Sequence, residues 1–258
     1  AVYSDSMAGY GPYLQIVVTV FMFLFGVNFS FYYLLLTKRV KEAFQIEEVR
    51  AYFALFAASS VLIALNLLPQ LGNLADSLRH AAFQVSSIMT TTGFATVDFD
   101  KWPEFSRMLL VLLMFVGACA GSTGGGIKVS RVLMYTKTIK KELAFLVHPR
   151  SVKVILMDGK KMEHTVVRAA NIFLITYLGI LAVSVLLVSL DGKDFTTTVT
   201  AVITALNNVG PGLSLVGPMG NFGFFSDFSK IVLMFDMLAG RLEIFPLLLL
   251  FVPYTWKK

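Results

Sequence analysis

Ser86-Ser87-Ile88-Met89-Thr90-Thr91-Thr92-Gly93-Phe94-Ala95-Thr96 closes a run, residues 81–97, that holds no charged side chain. Asp76 and Arg79 stand before the run and Asp98 and Asp100 after it. Its apolar part is too short for a hydrocarbon core about 30 Å thick. The pattern predicts a short helix that enters a membrane half-way and a threonine-glycine segment that returns, extended, to the same side. Irregular backbone survives at that depth only where protein or a water-filled cavity covers its N–H and C=O groups. A row of carbonyls facing such a cavity can replace the hydration shell of a cation. The plain alternative is a helix ended by Gly93 in a loop.

The motif recurs. Asp194-Phe195-Thr196-Thr197-Thr198-Val199-Thr200-Ala201-Val202-Ile203-Thr204-Ala205-Leu206-Asn207-Asn208-Val209-Gly210-Pro211-Gly212 again opens a short apolar helix on an acid and ends it in small polar residues and glycine. An apolar span precedes and follows each copy. Span, half-depth loop and span, present twice, make an internal repeat, the feature that frames all others.

Composition agrees. Of 258 residues 56% are hydrophobic and 15% charged, against about 25% charged in soluble domains, so the chain reads as a membrane protein with lipid as its surroundings. Residues 1–13 include Asp5 and do not form a signal peptide. The chain opens on Ala1, close to a span, and reads as a piece of a longer protein. A single cysteine, Cys119, excludes an internal disulfide. His80, His148 and His164 fall in different segments and suggest no ligand cluster. The net charge of +6 raises nucleic acid as a partner, and the distribution of that charge argues against it.

Spans are expected over 13–37, over 51–75 with an end near Pro69, over 105–126, over 166–190 and over 228–254. Residues 152–157 are β-prone and run into Asp158-Gly159, a hairpin signal. The segments 38–50, 128–168 and 257–258 hold most of the 22 Lys and Arg, which makes their side cytoplasmic. Both half-depth loops then open outward. Asp5, Asp76, Asp98, Asp100, Glu104, Asp191, Asp194 and Asp227 on that outer side would concentrate cations near an entrance.

Three further features carry chemistry. The loop helices ending at Thr90 and Asn207 would aim their partly negative C-termini inward. The run Gly117-Ala118-Cys119-Ala120-Gly121-Ser122-Thr123-Gly124-Gly125-Gly126-Ile127-Lys128 interrupts the third span. It is no phosphate loop, because Ile127 separates Gly126 from Lys128. Gly117, Gly121 and Gly125 could form a close-packing face, but three consecutive glycines favour a helix broken in mid-membrane. Arg241 sits in the last apolar span, where a charge is costly and functional by default; it either faces the interior near that break or snorkels to the interface. Glu243, two residues on, lies on another face of a helix. For Asp236 a pore-facing site and a helix–helix hydrogen bond both stay open. A membrane enzyme would need converging acid–base or metal groups, and Asp236, Arg241 and Glu243 have no nucleophile or histidine beside them. A secondary carrier built from discontinuous helices would share the broken spans without the symmetry of the two loops.

Thr90-Thr91-Thr92-Gly93-Phe94, Gly121-Ser122-Thr123-Gly124-Gly125-Gly126-Ile127-Lys128, Asn207-Asn208-Val209-Gly210-Pro211-Gly212 and Gly240-Arg241-Leu242-Glu243, in that order, together resemble the membrane subunit of Trk-type potassium uptake systems, in the Trk/Ktr/HKT superfamily. The resemblance implies an all-α polytopic protein of span–pore-loop–span repeats around a pseudo-fourfold pore. This chain is similar to its C-terminal half. Residues 1–50 would be the last span of a truncated second repeat with its linker, 51–147 the third repeat, 148–165 a cytoplasmic hairpin and 166–258 the fourth repeat. Thr91, Thr92, Gly93 and Phe94 would be one filter segment for K⁺, and Asn208, Val209, Gly210 and Pro211 another. Gly117, Gly121, Ser122, Thr123, Gly124, Gly125 and Gly126 would belong to an intramembrane gating loop, with Arg241 beneath the filter. The resemblance also implies a homodimer in a prokaryotic plasma membrane, a cytoplasmic nucleotide-binding regulatory subunit docked on 128–168, and a missing N-terminal half needed to close the pore. K⁺ is then the transported ion, with no covalent cofactor; a Na⁺/K⁺ transporter of the same superfamily is the neighbouring alternative.

Overall fold

The computed structural model describes residues 6–149 and 154–241. They form ten helices, α1 (Pro12–Phe25), α2 (Phe29–Leu36), α3 (Val40–Gln45), α4 (Glu47–Leu71), α5 (Leu74–Met89), α6 (Glu104–Phe115), α7 (Val129–Val147), α8 (His164–Val188), α9 (Phe195–Asn207) and α10 (Asp227–Arg241), and a two-stranded hairpin of β1 (Leu156–Met157) and β2 (Lys160–Lys161).

Among the described residues, α4 and α8 are the two helices long and apolar enough to cross a bilayer unaided. Both keep large apolar side chains on the outside, such as Leu65, Ile175 and Leu186, as helices facing lipid do. Pro69 lies in the last turn of α4, and the helix runs two residues further, to Leu71; Gly72 follows, and its left-handed φ of 65° lets its N–H return to the Leu68 carbonyl at 2.9 Å.

The two short helices are buried in the middle. Asn73 caps α5 by accepting from Ala75 N–H, so the helix begins ahead of the uncharged run and carries Asp76 and Arg79 as an ion pair on its outer turns. Asp194 caps α9 through Thr197 N–H at 2.9 Å. From Phe83 to Met89 every residue of α5 is buried, polar Gln84, Ser86 and Ser87 included. A large apolar cluster around Tyr52, Ile63, Leu67, Leu110 and Met114 wraps the end of α5. A second, with Phe173, Tyr177, Leu206 and Ala239, joins α8, α9 and α10.

Two segments differ from the sequence expectation. Residues 13–37 do not form one straight span: α1 and α2 meet at 92°. Asn28 causes this by capping α2, its Oδ1 accepting from Ser30 N–H at 2.7 Å, and Gly26 permits it, since a Cβ there would run into the Tyr52 hydroxyl. The helix of the third span is shorter than 105–126 and stops at Phe115; irregular chain fills 116–128. The basic stretch after it forms a 19-residue helix, α7. The hairpin turns on Asp158 (φ 49°) and Gly159 (φ 73°), the paired left-handed residues of a type I′ turn, with Leu156 opposite Lys161. Glu243, Lys257, Lys258 and the end of the expected last span lie outside the described residues.

Candidate functional site

The C-termini of α5 and α9 converge, and the chain beyond each turns in the same way. Thr91 (φ 55°) and Gly93 (φ 76°) are left-handed, with Thr92 between them of ordinary hand; Asn208 (φ 56°) and Gly210 (φ 106°) flank Val209 likewise. Alternating hand along consecutive residues brings peptide groups of one kind to one side of the chain. The N–H groups point back into the parent helices: Thr91 to Ile88 O, Thr92 to Ser87 O, Asn208 to Ala205 O and Val209 to Thr204 O, at 2.9–3.1 Å. The carbonyl oxygens of Thr91, Thr92, Gly93, Asn208, Val209 and Gly210 accept no hydrogen bond among the described residues. They are free to bind a cation, and the helix C-termini behind them favour one.

The two turns touch. A Cβ at Gly93 would run into the Val209 carbonyl oxygen and lie 3.2 Å from Pro211 Cδ. Past Gly93 the chain runs extended; Phe94 O accepts from Ser87 Oγ at 2.6 Å, and Ala95 exchanges bonds with the segment before α1, Met7 N–H donating to Ala95 O at 2.8 Å and Ala95 N–H to Ser6 Oγ at 3.0 Å. The second turn is braced from outside, by Tyr177 Oη–H donating to Asn207 Oδ1 at 3.0 Å and Asn208 Nδ2 donating to Met237 O at 3.0 Å.

The glycine-rich loop lies against both turns. Its neck is closed by Gly117 N–H to Ile127 O at 2.8 Å and Ile127 N–H to Phe115 O at 3.1 Å, so the chain leaves and returns at one place. Its far half meets the turns: Gly125 N–H donates to Thr91 Oγ1 at 2.8 Å, and a Cβ at Gly125 would stand 2.7 Å from Asn207 O. Its near half is bonded to the α1–α2 bend, Cys119 N–H to Gly26 O at 3.0 Å and Phe29 N–H to Gly121 O at 3.2 Å. Thr123 O accepts from Arg241 Nη1 at 3.1 Å, and the Lys128 ammonium reaches Gly124 O. Arg241 therefore faces inward to the loop. It lines a cavity of about 350 Å³ with Gly121, Ser122, Thr123, Arg131 and Tyr177. A second cavity of about 510 Å³ is walled by Thr91, Thr92, Asn208, Val209 and Gly210.

Asp236 is buried and accepts from Ser184 Oγ at 2.7 Å, a bond between α10 and α8; of the two roles left open, this is the helix–helix one. The sequence reading passed over Glu48, Asn28 and Tyr177, all of which touch the loop, the bend or a turn. Glu48 carried a signal, since it is one of two adjacent acids at the start of an apolar span.

The whole of residues 1–258 matches the family model TrkH, described as a cation transport protein. The chain belongs to the TrkH family. It is 35% identical over 261 residues to the Trk system potassium uptake protein TrkH of Salmonella typhimurium, covering 98% of this chain and 53% of that protein. It is 44% identical over 182 residues to the TrkH of Vibrio parahaemolyticus, covering 70% of this chain and 37% of that protein. The crystal structure of the potassium transporter TrkH from Vibrio parahaemolyticus superposes with a TM-score of 0.92 at 35% identity, over 100% of this chain and 56% of that one. This TrkH-family chain thus spans about half the length of the relatives it matches. It is an all-α, multi-pass membrane protein of a transport family.

Proposed function

We propose that this chain forms part of a potassium uptake pathway across a prokaryotic plasma membrane, with residues 91–94 and 208–211 as two segments of its selectivity filter. One observation supports the reading: two adjacent turns of the same alternating hand, 91–93 and 208–210, whose leading N–H groups bond back to their own helices and whose carbonyls accept no hydrogen bond among the described residues. A cation entering from the outer side exchanges water for these oxygens. The C-terminal ends of α5 and α9 stabilise it there. Two turns supply part of a coordination shell, so the pathway needs further segments, and the architecture we infer is a pseudo-fourfold ring completed by residues N-terminal to these. Residues 51–147 and 166–258 would then be its third and fourth repeats, residues 1–50 the end of the second, and 148–165 the cytoplasmic connection.

Beneath the turns the glycine-rich loop with Gly117, Gly121, Ser122, Thr123, Gly124, Gly125 and Gly126 acts as the gate, and Arg241 holds it through Thr123. The basic α7 and the hairpin give a cytoplasmic surface suited to a nucleotide-binding regulatory subunit, and the transporter works as a homodimer in this reading. The relatives named as potassium uptake proteins support K⁺ as the transported ion.

The test is ion flux through the full-length protein in liposomes. Gly210→Ser should lower the preference for K⁺ over Na⁺, and shortening 124–126 should raise flux without any regulator. Unchanged selectivity in the first variant removes the filter assignment; unchanged flux in the second removes the gate. A Na⁺ preference in the parent protein would make it a Na⁺/K⁺ transporter of the same architecture.

A further inference from the structure

Glu48, in the first turn of α4, belongs neither to the turns nor to the loop, yet it is buried, 5% exposed. Its Oε1 accepts from two backbone N–H groups of different segments, Ala120 at 2.7 Å and Ser130 at 2.9 Å. Ala120 lies in the near half of the glycine-rich loop; Ser130 lies in the first turn of α7, just past the loop's other end. Both legs of the loop therefore hang on one oxygen atom. Ser130 N–H is one of the donors that a helix leaves unpaired at its start. Lys128, at the N-cap of α7, makes no side-chain cap bond, so Glu48 supplies the cap from another helix. Hydrogen bonds to an ionised acceptor are about twice as strong as neutral ones, and a buried carboxylate persists only when so bonded.

The residue before it joins this point to the cytoplasmic surface. Glu47 N–H donates to Asp158 Oδ1 at 2.7 Å, so the tip of the β1–β2 hairpin caps α4. The Glu47 carboxylate pairs with Lys137 of α7, whose ammonium also donates to Leu156 O at 2.6 Å. Hairpin, α4 and α7 thus meet at Glu47, one residue from the carboxylate that carries the loop.

We propose that Glu48 is the positioning residue that holds the glycine-rich loop in its blocking conformation, and that the hairpin acts on this latch through Glu47. The proposal rests on the reading of that loop as the gate. Pulling the hairpin off α4 frees the first turn of that helix, shifts the Glu48 carboxylate and releases Ala120 and Ser130 together.

Single-channel recording on the full-length protein, with and without its cytoplasmic partner, tests this. Glu48→Ala removes both bonds and should raise open probability about tenfold, while unitary K⁺ current and K⁺/Na⁺ preference stay at the parent values. Glu48→Gln keeps an oxygen acceptor in place and should return open probability to within about threefold of the parent. Asp158→Gly, which keeps the left-handed turn, should raise it by about threefold without the partner. In parallel, modification of Cys119, buried beside Ala120, by a membrane-permeant thiol reagent should accelerate in Glu48→Ala, read by mass spectrometry of its peptide. Parent open probability in Glu48→Ala, or an equal rise in Glu48→Gln, overturns the latch. Should Glu48→Ala fail to insert, parent open probability and Cys119 reactivity in Asp158→Gly overturn it in its place. Shortening 124–126 in the same preparation separates the failures. If that variant opens and Glu48→Ala does not, only the latch falls; if neither opens, the gate reading falls with it.

Discussion

Gly93 and Gly210 occupy matching turns and are held to glycine by different forces. At Gly93 both the φ of 76° and the Val209 carbonyl oxygen exclude a side chain; at Gly210 a Cβ would meet nothing within 4 Å, and only the φ of 106° resists it. Backbone strain of this kind costs about 1–3 kcal/mol, whereas Gly93→Ala must also push the two turns apart. Gly93→Ala should abolish K⁺-dependent growth in a bacterial strain lacking its own uptake systems, while Gly210→Ala should still support growth at high external K⁺. Equal loss in both would mean that the turns do not pack as described. Both glycines were legible in the sequence as places of backbone freedom. The difference between them was not, because it depends on a neighbour more than a hundred residues away. Arg241 was legible too, as a charge misplaced in an apolar span; its partner, the Thr123 carbonyl, was not, since no spacing rule links a helix end to a loop atom. Losing one charge-assisted hydrogen bond at a site open to water should make the loop easier to displace, so Arg241→Ala should raise flux by roughly threefold.

At the scale of elements, caps decided what periodicity could not. The uncharged run 13–37 hides its break, and the only hint was Gly26 followed by Asn28, a helix stop and a helix start two residues apart. The basic stretch after the glycine-rich loop read only as a run of cytoplasmic charge, and α7 shows which of its residues turn inward, Val129 and Met134. The short helices were the most legible elements, each opened by a polar cap and closed by a glycine turn. Asp194 illustrates how much rests on such a cap. Hydrogen bonds from the Thr197 side chain and backbone hold its carboxyl below the ordinary carboxylate value of 3.8. Asp194→Ala should cost about 1 kcal/mol, measured as thermal unfolding in detergent. A depressed folded pKa means that this stabilisation is complete above the unfolded value and is lost as pH falls through the folded one. Melting curves of the parent and Asp194→Ala should therefore differ at neutral pH and converge as pH drops below 3.8.

At the scale of the molecule, the two copies of the motif are tied to each other away from their turns as well. Asp100 Oδ1 accepts from Ser214 N–H at 3.0 Å and from Arg107 Nη2 at 3.2 Å, so an acid after the first turn anchors the chain after the second. Asp100→Ala should lower the melting temperature and loosen ion discrimination together, and Asp100→Asn, which keeps an acceptor, should recover most of both. The recurrence of the glycine turn was visible in the sequence, but this tie was not: Asp100 read only as one of several outer-face acids contributing a general field.

The bend between α1 and α2 also constrains movement. Its carbonyl at Gly26 and its N–H at Phe29 are satisfied by Cys119 and Gly121, and in hydrocarbon an orphaned peptide group costs several kcal/mol. Residues 119–121 are therefore held at two points, by this bend and by Glu48, and residues 122–126 are the first to travel once the Glu48 hold is released. With this loop proposed as the gate, opening takes a stroke of a few residues, on the nanosecond-to-microsecond clock of loops rather than the slower clock of sliding helices.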